Sequence, residues 1–292
     1  MSKLKLDNVT LIVIEGRNSH MDMTLKAKNI CKWYIDFADV KVLTPQSHYD
    51  DKDIFVVNRA LDTLQKYNLF AMAELYDYVD TDFCLVINWD SWVCNPKAWT
   101  DEFLEYDYIG AWWDIRGDED SWGGLKSGST YGKVGNGGFS LRSRRLLKFV
   151  QENFKFRRVF DYDAKKPYYD HFNRKIDGTL GYVPGIRPDD QTMARLNGSF
   201  LHDNGFKFAP VELAEKFSVE ATDATYKDFL NGDRESPGMW EGQFGFHNIW
   251  TDLRQWKDLK KWGYETTLPF QDLVDRVMDG DDTIIGTPSN HD

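Results

Sequence analysis

The first hundred residues alternate short β-branched apolar runs with longer stretches of helical spacing, which confines the chain to a sheet covered by helices. Val9 to Glu15 reads as a strand, broken by Gly16-Arg17-Asn18, and Met23 to Ile35 follows with apolar residues at helical intervals. Val40 to Leu43 is a second strand stopped by Thr44-Pro45, and Asp53 to Val57 a third. A helical pattern from Leu61 to Tyr78 then leads into Phe83 to Ile87, a continuous apolar run of the kind buried on both faces. This order predicts an α/β fold with a mostly parallel central sheet flanked by helices. That sheet belongs to one domain over residues 1–250, with a helical extension and acidic tail over residues 251–292.

Beyond Phe83 to Ile87 the pattern predicts a helix over Trp99 to Leu104 and a strand over Tyr108 to Ala111. Asp114 to Lys133, rich in Gly, Ser and Asp, reads as a long loop, and Lys155 to Pro188 has no clear periodicity. Ser143 is placed to cap a helix over Arg144 to Glu152. Pro188-Asp189-Asp190 opens a helix through Leu196, Phe206 to Pro210 reads as a short edge strand, and Leu253 to Trp262 is amphipathic before a tail that turns acidic at Asp279.

A net charge of −11 argues against a nucleic-acid backbone as partner, because phosphates need a basic surface. The three cysteines (Cys31, Cys84, Cys94) form no CxxC pair, which suits a reducing, cytoplasmic setting. The apolar run near the N-terminus is too short for a signal sequence or membrane span, and no segment reaches transmembrane length. Nothing in the pattern sets an oligomeric state.

Four polar clusters carry the candidate chemistry. Asn88-Trp89-Asp90-Ser91 follows the Phe83 strand directly, where α/β proteins bind ligands. Its single carboxylate, Asp90, suits a divalent cation that takes its other ligands from phosphate and water, and equally suits a solvated turn. In Gly135-Asn136-Gly137-Gly138 the glycines answer either a close backbone approach, a positive φ or a tight hairpin. Asp189 and Asp190 sit where a helix dipole favours acids, and where one of the two can serve as a general base. His247, in an apolar Phe-Gly-Phe-His setting, needs a partner: a hydrogen bond in the core or a metal. P-loop, GxSxG, HExxH and GxGxxG motifs are absent from the sequence.

Six segments in this order resemble a poorly characterised family of glycosyltransferase-like domains with the GT-A fold. They are Leu64 to Trp99, FLEYDYIGAWW (Phe103 to Trp113), VGNGGFSLRSRRLL (Val134 to Leu147), Asp189-Asp190, FKFAPVELAEKFSVE (Phe206 to Glu220) and FGFH (Phe244 to His247). The resemblance covers roughly residues 8 to 250. It implies transfer of a sugar from a nucleotide-sugar donor to a carbohydrate or other hydroxyl acceptor by single displacement. The Asp-x-Asp position of that fold reads Asn88-Trp89-Asp90, so the implied ligands of Mn²⁺ or Mg²⁺ are Asp90 and His247. The resemblance further assigns the base to Asp190, or its neighbour Asp189. Donor and substrate contacts fall to Arg17, Asn88, Trp89, Ser91, Trp113, Gly137, Gly138 and Phe139.

Two other classes compete. A non-catalytic or degenerate carbohydrate-binding domain would use Trp89, Trp92, Trp112, Trp113 and Trp122 as stacking platforms. A nucleotidyltransferase would need two or three converging carboxylates where the pattern places only Asp90.

Overall fold

The computed structural model describes residues 3–113, 133–153, 188–220, 240 and 242–248. All but the last residue of Asp114 to Lys133 and of Lys155 to Pro188, together with Trp122 and residues 251–292, lie outside these. The central sheet has six strands, β1 (Leu4–Ile14), β2 (Ile35–Thr44), β3 (Ile54–Val56), β4 (Phe83–Ile87), β6 (Tyr108–Ile109) and β7 (Phe139–Ser143), in the order β3-β2-β1-β4-β7-β6. Strands β1 to β4 pair in parallel, while β7 runs antiparallel to both β4 and β6. A smaller sheet joins β5 (Trp92–Val93), β9 (Gly245–His247) and β8 (Ser218–Glu220) in that order. The main helices are α1 (Met21–Tyr34), α2 (Leu64–Ala73), α3 (Arg144–Asn153), α4 (Gly198–Asp203) and α5 (Val211–Phe217). The expected α/β architecture, a mostly parallel sheet flanked by helices, is thus what forms.

Period-two side-chain alternation explains why β1 and β4 are apolar throughout. Leu11, Val13, Leu85 and Ile87 enter one core with α1, α5 and the small sheet, whereas Ile12, Ile14, Cys84 and Val86 enter a second core with α2. Ser143 caps α3 as expected, its Oγ accepting from Leu146 N at 3.1 Å.

Several elements depart from the sequence expectation. Strand β2 begins at Ile35, immediately after α1, because Ile35 pairs with Leu4; its partly exposed, Asp-bearing first half hides the strand from a hydrophobicity reading. The Trp99 to Leu104 region forms 3-10 turns over Pro96–Ala98 and Asp101–Glu105, whose starts are fixed by the side chains of Asn95 and Thr100. Phe206 to Pro210 contributes only an isolated bridge between Tyr108 and Phe208. The Gly135 to Gly138 segment is no tight hairpin: it leads into β7, which lies between β4 and β6.

From β1 the chain moves outward to β2 and β3, then returns through α2 to β4 on the other side of β1. The carboxyl ends of β1 and β4 therefore flank a topological switch point, where open α/β sheets bind ligands. Among the described residues no helix is long and apolar enough to cross a membrane.

Candidate active site at the carboxyl edge of the sheet

A pocket of about 110 Å³ opens at the switch point, its lining including Glu15, Arg17, Leu61, Tyr67, Asn88 and Trp89. Glu15 is buried, and its Oε1 accepts from Arg17 N at 2.8 Å and from Arg17 Nε at 3.2 Å. That ion pair fixes the backbone turn after β1 while leaving the Arg17 side chain about half exposed (49%) beside the pocket. The Tyr67 hydroxyl donates to Asn88 Oδ1 at 2.9 Å, and Trp89 packs on His20 with ring centroids 4.3 Å apart.

Asp90 follows in the same turn and is almost fully buried. Among the described residues its Oδ1 has no hydrogen-bond partner, and it lies 3.6 Å from His247 Nε2. The other ring nitrogen of His247, Nδ1, is 3.0 Å from Glu220 Oε1, and Glu220 Oε2 accepts from Trp113 Nε1 at 3.4 Å. Burial pushes the Asp90 carboxyl up, against the pull of the His247 charge. Burial alone would lower the His247 pKa, but the Asp90 charge and the Glu220 hydrogen bond outweigh it and raise it to about 9. Burial would likewise raise Glu220, yet its hydrogen bond with His247 holds the carboxyl below its usual range.

The glycine-rich turn is built around Asn136 in the left-handed region (φ 71°), whose Oδ1 accepts from Gly138 N at 3.1 Å and Phe139 N at 3.2 Å. Close approach is what Gly137 and Gly138 provide. A Cβ on Gly137 would lie 2.5 Å from Asp189 Oδ1, and one on Gly138 only 2.1 Å from His247 Nε2. Ser91 ties this turn to the end of β4, its Oγ donating to Gly138 O at 2.6 Å and accepting from Asn88 N at 2.8 Å. The Phe139 ring is fully buried in the aromatic core with Phe217 and Phe244.

The two adjacent acids have different surroundings. Asp189 Oδ2 pairs with Arg142 Nη1 at 2.6 Å, with both side chains essentially inaccessible. Arg142 also donates to Gly137 O at 3.2 Å and to Ser140 Oγ at 2.9 Å, while Asp189 N donates to Asn68 Oδ1 at 3.2 Å. Among the described residues Asp190 meets no cation: its Oδ2 accepts from Gly137 N at 2.9 Å and its Oδ1 from Gln191 N at 2.6 Å. Burial, then the neighbouring Asp189 charge, pushes the Asp190 carboxyl up to about 7.

Asn88, Trp89, Asp90, Ser91, Gly137, Gly138, Asp190 and His247 are therefore joined through direct contacts at one edge, with Trp113 attached through Glu220 and Arg17 in the adjoining pocket. Asp189 is held behind this edge by Arg142. Trp92 is fully buried against Phe246, which removes it as a sugar-stacking platform. Sequence reasoning missed Glu220 and Tyr67. No sequence signal pointed to Glu220, because what brings it opposite His247 is the parallel register of β8 and β9.

Among the described residues no group of three or more His, Cys, Asp or Glu side chains is arranged to hold a metal ion. Asp90 and His247 nevertheless offer a carboxylate oxygen and an imidazole nitrogen facing each other, and the oxygen is otherwise unsatisfied. This donor pair fits a divalent cation that completes its shell with phosphate oxygens and water.

Residues 54–239 match the profile of a family described as a protein of unknown function (DUF5672). The chain belongs to that family. The DUF5672 match takes in Asp90, the glycine-rich turn, Asp190 and Glu220, whereas Arg17 and His247 lie outside it. No curated protein matches the chain in sequence. Among solved structures, the chain is similar to the galactosyltransferase LgtC in complex with donor and acceptor sugar analogues (13% identity, 89% of this chain and 97% of that one, TM-score 0.46). It is also similar to mouse xyloside xylosyltransferase 1 in its apo form (8% identity, 84% and 98%, TM-score 0.46). A third is a glycosyltransferase involved in glycosylation of the major capsid of PBCV-1 (11% identity, 87% and 98%, TM-score 0.41).

Proposed function

We propose that this protein is a GT-A-like glycosyltransferase that moves a sugar from a nucleotide-sugar donor to a hydroxyl acceptor by single displacement. The observation that carries the reading is the unpartnered, buried Asp90 Oδ1 facing His247 Nε2 beside a pocket at the sheet's switch point. A buried carboxylate oxygen without a partner costs free energy, and a bound cation removes that cost.

In this reading the pocket between Glu15-Gly16-Arg17 and Asn88-Trp89 takes the nucleotide, with the Arg17 guanidinium beside its phosphates. Asp90 and His247 hold Mn²⁺ or Mg²⁺, which when bound neutralises charge building on the departing diphosphate. Asp190 is the base. It takes the proton of the acceptor hydroxyl, whose oxygen forms the new bond to the anomeric carbon as the bond from that carbon to the diphosphate oxygen breaks. A carboxyl titrating near neutrality suits that exchange, and the two backbone N–H groups on Asp190 hold its plane. Asp189 is assigned to positioning: paired with Arg142, it anchors the helix start that carries Asp190. Gly137, Gly138 and Trp113 border the donor and acceptor space, with Ser91 and Phe139 supporting the turn from behind.

The test is release of nucleoside diphosphate from a panel of nucleotide sugars with Mn²⁺ and mixed hydroxyl acceptors. Release by the wild type, reduced at least a hundredfold in Asp190→Asn, is the expected result. No release from any donor by folded protein would overturn the catalytic reading.

A further inference from the structure

We propose that Glu220 is the positioning residue of this site, fixing the ring orientation of His247 so that Nε2 stays turned towards Asp90. The inference rests on the metal-dependent reading above and assigns a role to a residue that reading leaves without one.

The parallel register of β8 and β9 sets Glu220 directly opposite His247, so the backbone itself delivers the carboxylate to the ring. One residue earlier in each strand, Val219 packs against the core and Phe246 lies within it, which turns Glu220 and His247 to the opposite face. Glu220 Oε1 lies 3.0 Å from Nδ1, the nitrogen on the side away from Asp90. An acceptor there holds the proton on Nδ1, so the Nε2 proton is the one a cation would displace and the Nε2 lone pair the one that would face it. Both Glu220 oxygens are committed, Oε1 to His247 and Oε2 to Trp113 Nε1, so Glu220 is itself held. Behind Trp113 the chain approaches Gly135 so closely that a Cβ there would lie 1.9 Å from the indole ring, which restrains Trp113 in turn. The chain of contacts therefore runs from Gly135 through Trp113, Glu220 and His247 to Asp90. The absence of a Cβ at Gly138 gives Nε2 the room it occupies.

Removal of Glu220 frees the ring to turn about its Cβ–Cγ bond, so that Nε2 no longer stays on the Asp90 side and the Nδ1–H can take its place. Removal of charge alone does less, since the amide oxygen of Glu220→Gln still accepts from Nδ1–H.

The experiment measures Mn²⁺ binding by the paramagnetic resonance signal of the free ion, with and without inorganic pyrophosphate as the diphosphate probe. Wild type, Glu220→Ala and Glu220→Gln are compared, and ¹⁵N NMR of the Mg²⁺-loaded proteins reads which His247 nitrogen carries the proton. Expected is a loss of roughly ten- to a hundredfold in Mn²⁺ affinity for Glu220→Ala with a mixed tautomer, and recovery of most affinity and of the Nδ1–H form in Glu220→Gln. If Glu220→Ala does not fold, Glu220→Asp, whose carboxylate is withdrawn by one methylene, takes its place with the same expectation. Equal Mn²⁺ affinity in all variants would overturn this inference and leave the proposed function standing. A wild type that takes up no Mn²⁺ in either condition would overturn both this inference and the metal-dependent reading.

Discussion

Asp107 and Asp90 are aspartates of similar burial, 4% and 8% exposed, at opposite edges of the same sheet. Asp107 precedes β6 at the amino edge and is saturated: it accepts from Ser143 Oγ at 2.6 Å, from Arg145 Nε at 2.6 Å and from Lys207 N at 2.8 Å. Asp90 follows β4 at the carboxyl edge and keeps one buried oxygen with no hydrogen bond. Both positions bear the desolvation cost of a carboxylate; the amino edge offsets it with hydrogen bonds, whereas the open oxygen of Asp90 has the His247 charge 3.6 Å away. An edge that serves packing closes its polar valences, and an edge that serves a ligand leaves some open. One residue apart, Asp189 pairs with an arginine, whereas Asp190 is held by two backbone N–H groups and, among the described residues, by no cation.

The largest effect is expected where a buried ion pair is broken. Arg142→Met leaves Asp189 as a buried, unpaired charge and is expected to lower stability by about 3–5 kcal/mol in urea unfolding. A loss under about 1 kcal/mol would show that Asp189 has another means of satisfaction. Asp107→Ala removes an acceptor shared by three elements and is expected to cost about 2–3 kcal/mol, discounted because the Arg145 side chain is more than half exposed. Its Mn²⁺ and nucleotide binding should be those of the wild type, because the amino edge lies across the sheet from the pocket.

At Asp190 the effect is a slope. Its folded pKa stands at about 7, above that of an unfolded aspartate near 3.9. Between these values the native state holds the proton that the unfolded state has released, so this group's contribution to stability falls as pH rises from about 4 to 7. Asp190→Asn should flatten that part of the stability profile, and an unchanged slope would contradict the assignment. Smallest of all is Asp90→Asn, expected to change stability by no more than about 1 kcal/mol, since it removes a carboxylate that burial disfavours. A loss as large as that of Asp107→Ala would erase the contrast between the edges.

Much of this was legible in the chain. The apolar continuity of Phe83 to Ile87 foretold a strand buried on both faces, and the abrupt change at Asn88 marked its carboxyl end. The Gly-rich run signalled a close approach, although only the folded chain says that Asp189 and His247 are what it approaches. Strand β2 escaped recognition in its first half because Asp36 and Asp39 face outward there. The division of labour between Asp189 and Asp190 was not readable, since nothing in the local pattern says that Arg142, forty-seven positions earlier, sits beside one and not the other. Glu220 was invisible for the same reason: its meaning depends on strand pairing with His247 across twenty-seven residues.

The most direct test of the account is thermal unfolding with a panel of nucleoside diphosphates in Mn²⁺ and in EDTA, for the wild type and Asp90→Ala. A ligand that binds only the folded state adds about 2.7 kcal/mol of stability at a hundredfold excess over its Kd. At least one nucleoside diphosphate is expected to raise the wild-type Tm in Mn²⁺, and the shift to disappear in EDTA and in Asp90→Ala. Well-folded wild type that no nucleoside diphosphate stabilises, or a shift that survives both EDTA and the loss of Asp90, would contradict it.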